Sequence, residues 1–320
     1  MIYLSMEERC SPIYVKINFM TMRTVFMGSS DFSVSILEEL ACHYDVSGVI
    51  TQPDKPAGRG KHLTPPPVKI AAQRLGLQVL QPEKLKAPEI FEQLVNWAPD
   101  FIIVAAYGKI LQQNVLDLPR FGCINVHASY LPRWRGASPI QMAILNGDAI
   151  TGVTIMVMDA GIDTGAILTQ QVVPIDPDED ALSLSIKLAK VGGLLLVQTL
   201  DKYLSGSIHP IPQSEEGTTY ATMIRKEDGI LDFTQPATML ERKVRAFIEW
   251  PVASMNLGEE MLKIRKAKVI SGAGEPGSRV IVDRFPCVNT PDGRLMLLEV
   301  KPAGKNWMSG ADYLRGARNW

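Results

Sequence analysis

Three polar side chains at the ends of apolar segments are suited to chemistry on a carbonyl group. Asn125 and His127 lie two residues apart in CINVHAS, and Asp163 follows the apolar run of VTIMVMDAGIDTG. Alternate side chains of a strand share a face, so Asn125 and His127 are predicted to point the same way. An asparagine amide can donate to a developing oxyanion, a histidine can move protons, and an aspartate can orient the ring and favour its charged form. Together they would support direct attack by a substrate group on a carbonyl.

Each of these residues also has a structural interpretation. His127 is equally well explained as a histidine whose hydrogen bonds are satisfied inside the core. Asp159 and Asp163 lie between glycines, where aspartate commonly forms turns, and the turn interpretation of either aspartate is the simpler one. No G-x-S-x-G nucleophile accompanies them, so no covalent enzyme intermediate is predicted.

These residues belong to an alternation of strand and helix patterns over residues 22–200. Fully apolar segments such as FIIVAAYG are separated by helical patterns such as APEIFEQLVNWA. Apolar strands interleaved with helices indicate an α/β fold with an open parallel sheet that is covered on both faces. Open sheets of this kind bind ligands beyond the carboxyl ends of their strands, and the pattern places His127 at such an end.

The pattern changes after the polar, proline-containing segment 205–219, which is predicted to be a linker. Beyond it, one helix is followed by short strand-like runs with turn signals, which favour a small β-barrel. We therefore predict a catalytic domain over residues 22–204 and a second domain over residues 220–320. Residues 1–21 are predicted to be an extension that is disordered or that precedes a true start near Met22.

The charge and cysteine content exclude several classes of function. The chain carries 33 Lys and Arg against 34 Asp and Glu, so no overall attraction to nucleic acid or to an anionic membrane is predicted. Residues 220–320 alone carry 16 basic and 12 acidic residues, which either reflects chance or indicates a surface for a polyanion. The four cysteines form no C-x-x-C pair, which predicts no metal site and reduced thiols in the cytoplasm. No apolar run reaches the length of a membrane span.

A basic segment rich in glycine and proline follows the second predicted strand. QPDKPAGRGKHLTPPPVK, residues 52–69, contains Lys55, Arg59 and Lys61. This segment is either a solvated surface loop or a flexible finger for a phosphate backbone, which Arg and Lys bind without reading sequence.

Six motifs together resemble the methionyl-tRNA formyltransferase family over residues 23–320. In chain order they are QPDKPAGRG, VAAYGKIL, INVHASYLPRWRGASPIQ, GVTIMVMDAGIDTG, YATMIRKEDG and ERKVRAF. The Asn-x-His element with a downstream Asp-Thr-Gly is shared by transferases that use formyltetrahydrofolate. The PAGRG loop together with a C-terminal domain is typical of the family that acts on tRNA.

The resemblance implies a Rossmann-like first domain and a C-terminal domain of the OB type that also contacts tRNA. It implies formyl transfer from formyltetrahydrofolate to methionyl initiator tRNA, without a metal ion, by an enzyme that is expected to be monomeric. The residue roles that it implies are catalysis by Asn125, His127 and Asp163, folate binding by Tyr107, Gly108, Ser129, Tyr130, Leu131 and Pro132, and tRNA contact by Lys55, Arg59 and Lys61. Tyr130 stands where the family usually has leucine, so a phenol is expected in or beside the folate site.

Three other functions stay open when only the sequence is considered. The same three catalytic residues could formylate a small amine, such as a nucleotide sugar or a purine precursor, although that acceptor requires neither the basic loop nor a C-terminal barrel. Water in place of the amine would give hydrolysis of formyltetrahydrofolate. A non-catalytic RNA-binding module would require no Asn-x-His pair at a strand end.

Overall fold

The computed structural model describes residues 22–57, 60, 62–258, 260–317 and 320. The extension predicted for residues 1–21 and the predicted tRNA contacts Arg59 and Lys61 lie outside these ranges. Two compact units are present. Unit 1 consists of the described residues up to Ala128 together with Val153–Gln171 and Leu188–Glu215, and unit 2 consists of Ser129–Gly152, Val172–Lys187 and the described residues from Glu216 onward.

The helices and strands are numbered in chain order. The strands are β1 (Arg23–Gly28), β2 (Asp45–Ile50), β3 (Lys55–Ala57), β4 (His62–Thr64), β5 (Val79–Leu80), β6 (Phe101–Ala105), β7 (Cys123–His127), β8 (Arg135–Gly136), β9 (Ile150–Val157), β10 (Ile167–Pro174), β11 (Tyr220–Ala221), β12 (Ser254–Leu257), β13 (Glu260–Ile270), β14 (Arg279–Val282), β15 (Phe285–Thr290), β16 (Gly293–Lys301) and β17 (Met308–Ser309). The helices are α1 (Asp31–His43), α2 (Pro67–Arg74), α3 (Pro88–Trp97), α4 (Gln113–Leu116), α5 (Pro139–Asn146), α6 (Ala181–Leu204), α7 (Ala237–Ala246) and α8 (Gly310–Gly316), with a 3-10 turn at Lys226–Gly229.

The α/β fold with an open, mainly parallel sheet is confirmed. Seven strands pair in the order β10-β9-β7-β6-β1-β2-β5. β5, β2, β1, β6 and β7 run parallel, whereas β9 pairs antiparallel to β7. β1 lies in the middle, with β2 on one side and β6 on the other, which creates the switch in strand order where open sheets bind ligands. β6 and β7 are buried along their whole length, as the apolar sequence predicts for central strands.

The core of unit 1 on one side of the sheet depends on close packing between β2 and α3. A β-carbon added at Gly48 of β2 would lie 2.3 Å from the ring of Trp97 at the end of α3. Only glycine leaves room for the indole at this position. Trp97 also donates from its ring nitrogen to Oε1 of Gln78, at 3.1 Å. The buried cluster around Trp97 continues through Val25, Met27, Ile50, Leu85, Leu94, Ile102, Val104, Tyr107, Leu111, Val115, Leu116 and Cys123.

α6 is the long apolar helix that closes the alternating pattern. Among the described residues it is the helix that is long and apolar enough to cross a membrane by length and composition, a test that the core helix of a soluble protein also passes. Leu184, Leu188, Leu196 and Leu200 of α6 are fully buried in the protein.

Unit 2 contains an antiparallel sheet in the order β12-β13-β16-β15-β14, with β17 paired to β16. Along the described chain these pairings form an open path, so closure into a barrel stays a prediction. Its core consists of side chains that α7 and the strands share: Leu231, Leu240, Val244, Ala253, Met255, Leu262, Ile264, Val288, Leu295, Leu297 and Val300. Residues 129–152 group with this unit because β8 pairs with β11 and α5 packs against α7.

Candidate active site

Asn125 and His127 lie on β7, an interior strand of the seven-stranded sheet between β6 and β9. Asn125 is opposite Val104 of β6 and Met156 of β9. The two side chains are nearly inaccessible to solvent, with 8% and 6% of their residue surfaces exposed. A buried amide and a buried imidazole at a strand end require polar partners.

Asp163, in the loop after β9, is a partner of both residues. Nδ2 of Asn125 donates to Oδ1 of Asp163 at 3.3 Å. Oδ2 of Asp163 lies 3.6 Å from Nδ1 of His127, which is close enough for a strong electrostatic interaction when the ring is protonated. The tertiary structure therefore brings together the three residues that the sequence predicted to act together, although 36 residues separate His127 from Asp163.

The backbone of the loop 158–165 is held in an uncommon conformation. Asp163 has a φ of 53°, in the left-handed region, which costs a non-glycine residue about 1–3 kcal/mol and persists only where the surroundings enforce it. A β-carbon added at Gly165 would lie 1.9 Å from the carbonyl oxygen of Val157, so only glycine fits there. These constraints aim the carboxylate of Asp163 at β7.

Asp159 takes the turn role that the sequence allowed for either aspartate. Its Oδ1 accepts from the backbone N–H of Gly161 at 2.9 Å and from the hydroxyl of Thr164 at 2.8 Å. The two aspartates of the loop therefore have different roles. Asp159 organises the backbone of the loop, whereas Asp163 contacts Asn125 and His127.

Gln213 also belongs to this site, and the sequence analysis missed it. Its Nε2 donates to the carbonyl oxygens of Asp163 and Gly165, both at 2.8 Å. The residue lies in the polar segment that the sequence predicted to be a linker. No local pattern relates it to a loop 50 residues earlier, so no signal in a single sequence could have identified it.

The residues predicted to bind the folate differ in what their side chains contact. Ser129 is buried and donates from its hydroxyl to the carbonyl oxygen of Arg133 at 2.6 Å. Leu131 is buried and precedes Pro132 through a cis peptide bond. Tyr130 is 42% exposed, so its phenol reaches solvent.

The side chain of Tyr107 points into the core of unit 1. The residue is 1% exposed, and burial raises the pKa of its hydroxyl to about 12. Within the described part of the chain this hydroxyl has no hydrogen-bond partner. Only its backbone faces the strand ends, where the carbonyl oxygen accepts from Nε2 of Gln52 at 2.8 Å. Gly108 follows with a φ of 74°, and a β-carbon there would lie 2.7 Å from the same Gln52 nitrogen.

The basic loop begins with a short hairpin of β3 and β4. Lys55 is exposed at its base and donates to Oε1 of Gln52 at 2.5 Å. Burial, followed by the charge of Lys55, lowers the pKa of Lys109. Two lysines therefore lie near each other beside the carboxyl ends of β2 and β6.

The fold and the site define a class of acyl-transferring enzymes, and comparisons with known proteins agree. Residues 22–200 match the family model described as formyl transferase, and residues 223–318 match its C-terminal domain, so the chain belongs to the formyl transferase family. A methionyl-tRNA formyltransferase of Myxococcus xanthus is 48% identical over 297 residues, which are 92% of this chain and 95% of that protein. A methionyl-tRNA formyltransferase of Halorhodospira halophila is 50% identical over 303 residues, which are 93% of this chain and 97% of that protein. Within the family, the chain is therefore one of the methionyl-tRNA formyltransferases.

A solved structure shows the same fold at lower identity. HypX from Aquifex aeolicus in complex with tetrahydrofolic acid superposes with a TM-score of 0.62 at 19% identity, over 92% of this chain and 47% of that chain. This chain spans about half the length of HypX, and the likeness concerns the fold alone.

Proposed function

We propose that this chain transfers the formyl group of formyltetrahydrofolate to the amino group of methionine on initiator tRNA, and that Asn125, His127 and Asp163 carry out the transfer. The observation that carries the proposal is the convergence of the three side chains, with contacts of 3.3 and 3.6 Å to one carboxylate. The identities of 48% and 50% to methionyl-tRNA formyltransferases support the choice of acceptor.

The first step requires little help with the nucleophile. A free α-amino group titrates near ~7.7–8.0, so a substantial fraction is neutral at neutral pH. Its nitrogen forms a bond to the formyl carbon, and the carbonyl electrons move onto the oxygen. Asn125 donates a hydrogen bond to this oxyanion from Nδ2, and the charge of a protonated His127 stabilises it further.

The second step breaks the bond between the formyl carbon and the folate nitrogen. The nitrogen leaves as an amine, so it must gain the proton that the attacking ammonium loses. Because Nδ1 of His127 faces Asp163, we propose that Nε2 of the protonated ring, directly or through a water molecule, gives its proton to the leaving nitrogen and then takes up the proton that the ammonium loses. The electron pair of the oxyanion re-forms the carbonyl as the folate nitrogen leaves. Asp163 holds the ring in this orientation.

One assay with three acceptors tests the proposal. The protein is incubated with formyltetrahydrofolate and either methionyl initiator tRNA, a nucleotide-linked amino sugar, or no acceptor. Formylmethionine on the tRNA is the expected product, with little turnover in the other two arms. Turnover with the sugar alone would favour a small-amine transferase, and equal loss of the formyl group in all arms would favour hydrolysis.

We propose that folate binding uses Ser129–Pro132 together with the backbone at Tyr107 and Gly108. The support is the position of Tyr107 and Gly108 directly after β6, next to the switch in strand order. The buried phenol of Tyr107 limits its contribution to main-chain contacts. Tyr130 stands where the family usually has leucine. Its exposed phenol is available for a hydrogen bond to the folate that leucine would not make.

A second surface, in unit 2, supports tRNA as the acceptor. This basic surface consists of the exposed residues Lys263, Arg265, Lys266 and Lys268 of β13 and of Lys301 on β16. Lys263 is directly opposite Lys301 in the antiparallel register, and like charges in that arrangement destabilise a sheet. A phosphate backbone would offset the repulsion, because each lysine could neutralise one phosphate.

An aromatic ring lies within the basic surface. The guanidinium of Arg265 lies 5.2 Å from the centre of the Trp307 ring, and the ammonium of Lys301 lies 5.8 Å from it. Glu299 is the nearby acid, at 3.9 Å from Arg265. Cations ordered over an aromatic ring are typical of surfaces that bind nucleic acid.

We propose that Lys55, Arg59 and Lys61 form the contact near the acceptor end of the tRNA. The exposure of Lys55 supports a role at the surface. We further propose a monomer in the cytoplasm, with the catalytic domain over residues 22–204 and the tRNA-binding domain over residues 220–320. Family-model matches over residues 22–200 and 223–318 support this division.

A further inference from the structure

The segment that follows α6 makes a specific contact with the loop that carries Asp163. Nε2 of Gln213 donates two hydrogen bonds, to the carbonyl oxygens of Asp163 and Gly165, at 2.8 Å each. An amide nitrogen has two N–H groups, so both carbonyls receive a donor of their own. This contact holds the loop on both sides of Thr164.

Gln213 is itself held in place by backbone hydrogen bonds. Two residues earlier, Ile211 exchanges two hydrogen bonds with Ile167, the first residue of β10, each at 2.8 Å. Nε2 of Gln213 also lies 3.8 Å from the sulfur of Met156, which is buried on β9. The backbone next to Gln213 is therefore held in place, and the hydrogen bond from its side-chain amide is partly shielded from water.

The conformation of Asp163 gives this contact a consequence for the site. Its left-handed backbone places the carboxylate between Asn125 and His127, and such conformations persist only where the surroundings enforce them. The carboxylate of Asp159 accepts hydrogen bonds from Gly161 and Thr164, on either side of Asp163 in the loop. The amide of Gln213 contacts the backbone of Asp163 itself, through the carbonyl oxygen.

We propose that Gln213 is a positioning residue that holds Asp163 in the orientation required for formyl transfer. This inference rests on the proposed function of the three catalytic residues and deepens it. A glutamate of the same shape cannot replace Gln213, because an ionised carboxylate has no donor and would repel both carbonyl oxygens.

The test is a pair of substitutions, Gln213→Ala and Gln213→Glu, assayed with formyltetrahydrofolate and methionyl initiator tRNA. For both variants kcat should fall about 10- to 100-fold, because small displacements of a catalytic group have effects of this size. KM for each substrate should stay close to that of the unchanged protein, and the thermal midpoint should fall by no more than the loss of two part-buried hydrogen bonds predicts. His209→Ala, at an exposed position in the same segment, serves as the matched control and should change nothing.

A double-mutant cycle with Asp163→Ala separates positioning from a general structural effect. In the Asp163→Ala background, Gln213→Ala should change the single-turnover rate less than twofold, since the carboxylate that Gln213 positions is already gone although both backbone carbonyls remain. Wild-type kcat in both Gln213 variants, a rise in KM alone, or an undiminished effect in the Asp163→Ala background would overturn the inference. Normal turnover by Asp163→Ala itself would instead overturn the proposed catalytic residues, so the two failures are distinguishable.

Discussion

A single carboxylate connects the amide and the imidazole of the site. Because Oδ1 and Oδ2 of Asp163 contact different residues, the aspartate can orient Asn125 and His127 at once. In the proposed reaction, the amide and the ring then need no rearrangement when charge develops on the formyl oxygen. Such preorganised donors are usually the largest contribution to catalysis of acyl transfer.

Substitution of Asn125 by alanine should remove the oxyanion donor. We expect kcat to fall roughly 10²- to 10³-fold with little change in KM for either substrate, because the lost hydrogen bond forms mainly in the transition state. Steady-state kinetics and circular dichroism would measure activity and folding. Asn146→Ala, at an exposed asparagine of α5, is the control, and a similar rate loss there would argue against a specific role for Asn125.

Substitution of Tyr107 by phenylalanine should stabilise the protein. Its buried hydroxyl has no partner among the described residues, and a buried unpaired polar group costs about 1–3 kcal/mol. Urea unfolding of Tyr107→Phe should therefore show a higher free energy of unfolding. Lower stability would mean that the hydroxyl is hydrogen-bonded, and a higher KM for formyltetrahydrofolate would mean that the phenol contacts the donor.

Among the elements of unit 1, β2 and α3 pack so closely that one β-carbon decides the fit. Gly48 leaves the space that the ring of Trp97 fills. α3 in turn covers the sheet beside β1 and β6, and β6 pairs with β7, which carries Asn125 and His127. The packing of α3 therefore supports the position of β6 and, through it, of β7.

Gly48→Ala should destabilise the protein by about 1–3 kcal/mol, the usual cost of overpacking a core. The indole has to move, because the new β-carbon would lie 2.3 Å from it. Thermal unfolding would measure the loss. Gly316→Ala is the matched control, since a β-carbon at the end of α8 meets nothing within 4 Å, and equal losses at both glycines would contradict the packing argument.

For binding of the whole molecule to RNA, the distribution of charge over the surface matters more than the net charge. The net charge of −1 gives no overall attraction to RNA, yet unit 2 concentrates exposed cations on β13. A local positive surface can bind a polyanion from a nearly neutral protein, because screening confines the interaction to about 10 Å at ordinary salt. The basic surface and the catalytic residues can therefore be tested separately.

The double variant Lys263→Ala, Lys301→Ala should weaken tRNA binding without slowing the chemical step. We expect KM for methionyl initiator tRNA to rise, kcat to stay constant, and the slope of log KM against log salt to fall by about two, one for each lost phosphate contact. Lys84→Ala, Lys86→Ala removes two exposed lysines of unit 1 and is the control. An equal effect in both double variants would indicate loss of general charge and not of a binding surface.

The amino-acid sequence by itself determined the architecture and the motifs. Strand and helix periodicities are local, so the alternation over residues 22–200 and the short strands of the C-terminal part could be predicted, as could the position of the Asn-x-His pair at a strand end. The resemblance to a family added the reaction and the roles proposed for Asn125, His127 and Asp163. Each of these depends on residues that are near in sequence or on motifs that are distinctive as they stand.

Only the tertiary structure decided which of these residues meet. It separated the turn-forming Asp159 from Asp163, brought Gln213 to the loop 50 residues earlier, and directed the phenol of Tyr107 into the core. It also set β9 antiparallel to β7. The physical reason is that these contacts depend on the path of the chain between distant segments, and no period of 2 or 3.6 residues encodes that path.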